Sequence, residues 1–132
     1  MELQFKFTGG PKFMICRSYS ENRELVSKCK INTDIHKWTI SEFFTEKQFM
    51  HMGFGKVTMK TLIDRLIYMY GEPSIIEYIW NGANEYVLDW ITKEFNAVCQ
   101  CPIAVQKTQT DDDWSSHMYT LDKDKVLKYF KG

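Results

Sequence analysis

The sequence Met50-His51-Met52-Gly53-Phe54-Gly55-Lys56 stands directly before the most regular pattern in the chain. After it, apolar residues recur with the roughly 3.6-residue period of a helix, at Met59, Leu62, Ile63, Leu66, Ile67 and Tyr70. Gly71 occupies the expected C′ position, and Pro73 keeps the helix from continuing. This stretch predicts a glycine turn followed by an amphipathic helix that begins near Lys56.

Alternating strand patterns precede the turn. Residues 25–31 and 36–44 alternate in polarity on either side of Asn32-Thr33-Asp34, which predicts a β-hairpin. Leu3, Phe5 and Phe7 predict an earlier strand that ends at Thr8-Gly9-Gly10-Pro11. Residues 12–23 are ambiguous, because 13–16 fit a short buried strand while 18–23 read as a polar loop.

Strands and helices alternate after the first helix. Residues 75–80 form an apolar run typical of a strand that is covered on both faces, and a second helix follows the turn at 81–84. Its inward residues are Val87, Trp90, Ile91 and Phe95. Residues 97–106 and 116–121 predict two more strands, and Asp122 is positioned to cap a last helix. Since a strand–helix–strand unit normally joins parallel neighbours, we expect 36–44 and 75–80 to pair in parallel and to splay at Gly53.

The glycine turn has the features of an anion site. A helix N-terminus carries unpaired N–H groups and partial positive charge, and glycine lets a phosphate approach the backbone closely. Lys56 would add a full charge there. A lone Gly-x-Gly is also common in ordinary turns, so both interpretations stay open on the pattern alone.

Residues 42–66 resemble the acetyl-CoA signature of the GNAT superfamily, in which a Gly-x-Gly turn cradles the cofactor pyrophosphate. The helix from Asn84 to Phe95 is similar to the next helix of that family, and the order of elements over residues 24–121 agrees. The resemblance implies one GNAT-like α/β domain over residues 1–132, abbreviated at its N-terminus. Its mixed, mostly antiparallel sheet would splay around one parallel pair and carry flanking helices. It also implies acetyl-CoA binding by Met52, Gly53, Phe54, Gly55, Lys56 and Asn84.

The sequence departs from the family pattern at positions that matter for catalysis. Met50 stands where the family usually has Arg or Gln, and the usual acidic tyrosine would fall near Trp90 or Ile91. The chain before residue 24 is short for the two helices that usually wall the acceptor site. Glu42 is the candidate base and Tyr86 the candidate acid, although Glu42 could be an outward strand residue and Tyr86 a packed helix residue.

Composition restricts the function classes. The 132 residues are 44% hydrophobic, which fits one domain with one core. Lys+Arg and Asp+Glu both number 17, so the basic excess typical of nucleic-acid binders is missing and no nucleic acid is expected. No apolar run approaches the roughly 20 residues that cross a bilayer, so no membrane is expected. The spacing of the four cysteines favours reduced thiols and a cytoplasmic location.

Three further groups have a functional and a plain interpretation. Cys99, Cys101 and His117 could hold zinc, but core cysteines are the default, so no metal is predicted. His51 could contact phosphate, act as an acid or base, or be an exposed loop residue. Trp114 and the acidic run at 111–113 (Asp111, Asp112 and Asp113) could contact a protein partner or lie in a solvated loop.

Two hypotheses for the function follow. The first is an acyl-CoA-dependent N-acyltransferase that acts on a small amine or a protein amino group. The alternative is a non-catalytic GNAT-fold binding or inhibitor protein, such as a phage accessory protein, that acts through protein–protein contacts. If Gly53 and Gly55 form the cofactor cradle, Gly55→Glu is expected to block CoA binding without unfolding the domain.

Overall fold

A computed structural model describes residues 2–80, 85–100 and 117–131. Two hairpin-connected pairs of strands open the chain: β1 (Gln4–Gly10) with β2 (Phe13–Tyr19), and β3 (Leu25–Thr33) with β4 (Lys37–Thr45). A 3₁₀ turn (Lys47–Phe49) leads to helix α1 (Phe54–Tyr70). Then follow β5 (Ile75–Trp80), α2 (Glu85–Phe95), β6 (Val98–Cys99), β7 (His117–Leu121) and α3 (Lys123–Lys131).

The described strands form one seven-stranded sheet in the order β1-β2-β3-β4-β5-β7-β6. Every neighbouring pair is antiparallel except β4 and β5, which are parallel as expected. The predicted α/β class, the hairpin and, over the described residues, the element order after residue 24 are therefore confirmed; most of the strand predicted at 97–106 lies outside those residues. No helix of the described part is long and apolar enough to cross a membrane.

The N-terminal region differs from the sequence expectation in one respect. The strand expected at 13–16 continues to Tyr19, and Ser18, expected in a loop, is fully buried. Its hydroxyl group is tolerated inside because Thr58 and the Ser27 carbonyl oxygen are its neighbours. Only Pro11 and Lys12 separate β1 from β2, so no helix precedes residue 24 in the described chain.

The helices pack on one face of the sheet. The buried core combines α1, α2 and α3 with Cys16, Cys29 and Ile31 of β2 and β3. Their strand neighbours that point the other way, such as Arg17 and Lys28, are absent from that core. We call these two sides the helix face and the open face.

Helix α1 begins and ends at left-handed glycines. Gly53 (φ 82°) is its N-cap and Gly71 (φ 77°) its C-cap, so the helix starts two residues before the predicted position and ends where predicted. Its buried stripe comprises Gly55, Thr58, Met59, Leu62, Ile63 and Leu66. Asp122 caps α3 through its Oδ1, which accepts a hydrogen bond from the Lys125 backbone N–H at 3.2 Å.

A chain of buried hydroxyl groups ties the start of α1 to three strands. The Thr58 hydroxyl lies 2.9 Å from both the Ser18 hydroxyl and the Phe54 carbonyl oxygen. The Ser27 hydroxyl donates to the Phe44 carbonyl at 2.8 Å. Because these groups are sealed from water, each depends on the others for its hydrogen bonds.

We therefore expect Thr58→Val to lower the free energy of unfolding by about 1–3 kcal/mol, since the Ser18 hydroxyl loses a buried partner. Thr61→Val is the matched control, because the Thr61 hydroxyl makes a similar 2.7 Å bond to the Val57 carbonyl on the exposed side of the same helix. Its cost should stay within about 0.5 kcal/mol. If urea unfolding shows that both variants lose the same free energy of unfolding, the role assigned to the hydroxyl chain is wrong.

Candidate functional site

A cleft opens where the parallel strands part. Residue pairing between β4 and β5 runs from Lys37–Ile75 to Ile40–Tyr78 and ends there, although β4 continues to Thr45. A bulge at Ser41 interrupts the register of β4 against β3 just beyond that point. The cleft is lined by the end of β4, the 3₁₀ turn and glycine loop, the start of α1, and one face of α2. The splay expected near Gly53 is thus present.

The loop before α1 has an unusual backbone. His51 (φ 64°) and Gly53 (φ 82°) both adopt left-handed conformations, which are uncommon for any residue other than glycine. No side chain caps the helix and its first turn contains no acidic residue. The first N–H groups of α1 thus lie at the mouth of the cleft without a negatively charged side chain from that turn.

The two glycines of the turn have different roles. A Cβ on Gly53 would meet nothing within 4 Å, so this residue faces open space. A Cβ on Gly55 would lie 2.6 Å from Thr45 Oγ1 and 3.2 Å from Phe43 Cζ, because α1 packs directly on β4 there. The expectation that Gly55→Glu blocks a ligand without unfolding the domain is therefore wrong: the new side chain would enter the helix–strand contact.

Aromatic residues build the opposite wall. The Trp90 ring contacts Phe43, Phe95 and Tyr129, with centroid distances of 6.2, 5.4 and 6.0 Å. Lys56 Nζ lies 5.2 Å from the centroid of the Trp90 ring, which suits a cation–π contact. The buried Nε1–H of Trp90 finds no hydrogen-bond acceptor among the described residues. An unpaired buried N–H is costly, and an acceptor atom of a ligand would relieve that cost.

Comparison with known proteins gives a consistent result for the fold. No family model and no curated protein matches the sequence. Nourseothricin acetyltransferase superimposes with a TM-score of 0.64 at 10% identity, over 90% of this chain and 82% of that one. A GNAT family acetyltransferase from Elizabethkingia anophelis with acetyl-CoA bound superimposes with a TM-score of 0.59 at 9% identity. The match covers 90% of this chain and 95% of that one. The ribosomal-protein-S18-alanine N-acetyltransferase from Escherichia coli superimposes with a TM-score of 0.59 at 11% identity. The match covers 86% of this chain and 69% of that one.

The chain has the GNAT fold. The predicted resemblance is confirmed at the level of architecture, including the parallel pair and the position of the glycine loop between β4 and α1. At identities near 10%, these neighbours show the fold and not the roles of individual residues.

The predicted acid lies in the cleft together with a histidine. Tyr86 and His51 both line it, and their rings meet edge to face with centroids 4.9 Å apart. Tyr86 is 54% exposed, so it is not a packed core residue of α2. This contact joins residues far apart in sequence, and no sequence pattern indicated it.

Glu42 lies outside the cleft. Its neighbour Phe43 lines the cleft, whereas Glu42 points to the open face, where Lys28 Nζ lies 2.6 Å from its carboxylate. The hydrogen bond from Lys28 holds the pKa of Glu42 below its usual value, and the charges of Lys28, Lys30 and Arg17 act in the same direction. A lowered pKa makes a carboxylate a weaker base, so Glu42 as general base stays a prediction that its electrostatic surroundings do not favour.

Of the predicted cofactor residues, Gly53, Phe54, Gly55 and Lys56 line the cleft, whereas Met52 is 61% exposed beside it. Asn84, Trp114, Cys101 and the acidic run at 111–113 lie outside the described residues. Within residues 2–80, 85–100 and 117–131, no three His, Cys, Asp or Glu side chains could hold a metal ion. Phe43 and Thr45 also line the cleft. Strand alternation places both on the face that Glu42 does not share, but no sequence pattern singled them out.

Substitutions at Gly55 and Thr45 test whether α1 packs directly on β4 at this point. Gly55→Ala should lower the free energy of unfolding by about 1–3 kcal/mol, because the added methyl group overpacks against Thr45. In a Thr45→Ala background the cost should fall by at least about 0.5 kcal/mol, since the nearest colliding atom is gone. Gly53→Ala, which meets no atom but strains a left-handed backbone, should show no such coupling to Thr45→Ala. If urea unfolding shows that Gly55→Ala and Thr45→Ala lower the free energy of unfolding additively, Gly55 does not have the packing role assigned to it.

Proposed function

We propose that the cleft binds an acyl-CoA and that the protein transfers the acyl group to an amine. The observation that carries this proposal is the convergence of the open glycine backbone at Gly53, the uncapped first turn of α1 and the Lys56 ammonium at one mouth. These groups suit a phosphate anion. Structural neighbours with CoA or acetyl-CoA bound support the choice of ligand.

The residues present fit the ligand in two further respects. Phe43 and Trp90 give the cleft an apolar wall suited to an aliphatic chain. The unpaired Nε1–H of Trp90 offers a donor for which the described residues supply no acceptor. Bound acyl-CoA would supply an activated thioester.

The protein's own residues would carry the proton transfers. Tyr86 lines the cleft and has a hydroxyl group, so we assign it as the donor of a proton to the departing thiolate. His51, in contact with the Tyr86 ring, would orient it. Glu42 remains the proposed acceptor of the amine proton, acting from the open face. The acceptor substrate is a small amine or a protein amino group.

A non-catalytic binding protein is the second candidate. It is favoured by Trp90, which lies near the position where the resemblance expects the acidic tyrosine and is packed against Phe43, Phe95 and Tyr129. The two-residue β1–β2 connection also leaves no helical wall for an acceptor before residue 24. In this hypothesis the GNAT fold serves as a scaffold for protein contacts.

Titration calorimetry with acetyl-CoA tests the first part of the proposal. A ligand at 100 times its Kd should stabilise the fold by about 2.7 kcal/mol, seen as a raised melting temperature. Lys56→Gln should weaken binding about tenfold through the lost charge. Lys93→Gln, on the exposed side of α2, is the control and should bind like the parent. No heat and no thermal shift at millimolar acetyl-CoA would reject the cleft as a CoA site.

Acetyl transfer to a panel of amines separates the two functions. For an enzyme, Tyr86→Phe should lower kcat by about 10²–10⁴ while acetyl-CoA affinity is kept, because only the acid is lost. Turnover that survives Tyr86→Phe unchanged would remove the assigned acid but not the activity. Absence of turnover above the uncatalysed rate in the parent protein, with acetyl-CoA bound, would favour the non-catalytic function.

A further inference from the structure

The open face carries a row of like charges on adjacent strands. Lys6 of β1 is directly opposite Arg17 of β2, and Arg17 is directly opposite Lys28 of β3. Residues opposite each other across antiparallel strands have Cα atoms only about 4.5–5.5 Å apart. Like charges at such positions destabilise a sheet. We call Lys6, Arg17 and Lys28 the cation ladder.

Neighbouring residues reinforce this charge. Lys30 lies two residues beyond Lys28 on the same face, and its Nζ is 5.1 Å from the Phe13 ring centroid. Lys6 Nζ similarly lies 5.4 Å from the Tyr19 ring centroid. Glu42 is the carboxylate within this group, and its pKa is lowered by Lys28, Lys30 and Arg17 together. Three cations thus act on one carboxylate, and with Lys6 the patch holds four cations and one carboxylate, an excess of three positive charges.

The arrangement calls for an external counter-charge. Among the described contacts, Lys28 pairs with Glu42, whereas the Arg17 guanidinium donates to the neutral Thr8 hydroxyl at 3.1 Å. Lys6 is exposed. Because the helices pack on the other face, no described helix supplies an acidic residue here. A repulsive row on a face that no described helix covers is a cost that an anionic partner would convert into a gain.

We propose that the cation ladder docks an acidic segment of a protein partner. The face is an open sheet surface, whereas small-molecule sites are concave and enclose most of their ligand. The chain has a net charge of zero, and the ladder spans only about 10 Å because adjacent strands lie about 4.8 Å apart. A nucleic-acid site of the usual kind needs a more extended basic surface. Two or three carboxylates over a similar span fit the patch.

Fluorescence anisotropy with a labelled peptide in which Glu alternates with Ser provides the test. The full chain should bind this peptide, should bind it more weakly as salt rises from about 20 to about 150 mM, and should not bind the same peptide with Gln in place of Glu. Lys6→Gln with Arg17→Gln should weaken binding about tenfold, and Arg17→Gln alone about threefold. Lys125→Gln, exposed on α3, is the matched control and should change nothing.

Thermal unfolding provides a second test. If Arg17 served to stabilise the fold, its replacement would lower the melting temperature. Arg17→Gln should keep or raise the melting temperature, since it relieves repulsion from both Lys6 and Lys28. A lower melting temperature would contradict the argument from repulsion. Failure of the acidic peptide to bind, equal binding by the variants, or binding of an oligothymidine in its place would overturn the proposal. All measurements omit CoA, so that their failure leaves the cleft proposal untouched.

Discussion

The short parallel pairing of β4 with β5 determines the rest of this structure. Parallel neighbours need a crossover, and right-handed crossovers that proceed in one direction across a sheet place their helices on the same side. From β4 to β5 and on to β6 the chain moves in one direction, so α1 and α2 share the helix face. Because the pairing ends at Ile40 and Tyr78, the strands part and open the cleft at that end. With only two residues between β1 and β2, no described helix covers the other side.

The cleft depends on how closely α1 approaches β4. Without a side chain on Gly55, the first turn of the helix contacts Thr45 and Phe43, and the hydroxyl group of Thr58 then reaches Ser18. This contact fixes the direction of the helix axis and therefore the direction of its first N–H groups. Gly53, two residues earlier, has no packing role and supplies the left-handed turn. One Gly-x-Gly pattern thus combines a packing constraint at Gly55 with an open backbone at Gly53, and only the open backbone is suited to a ligand.

Periodicity predicted most of the fold, because the strands and helices each bury one stripe of apolar residues. It did not predict the length of β2, because Ser18 is buried by hydrogen bonds that polarity patterns do not reveal. Within the site, the loop glycines and Lys56 were predicted from local physics. The His51–Tyr86 contact depends on tertiary structure. Alternation shows that Glu42 and Phe43 face opposite ways, but the face on which the cleft lies is decided by the helices.

The cleft and the cation ladder meet on a single strand. Phe43 and Thr45 of β4 line the cleft on the helix face. Glu42 of the same strand lies on the open face among Arg17, Lys28 and Lys30. Only the thickness of one sheet therefore separates the two surfaces, at the place where β4 has left β5. A lowered pKa keeps Glu42 ionised, so its carboxylate would attract an ammonium group on the open face, although the same shift makes it a weaker acceptor of the proton. A partner that presents carboxylates to the ladder and an amine beside them would satisfy both charges at once. The enzymatic and the partner-binding hypotheses then describe two faces of the same strand rather than competing uses of one site.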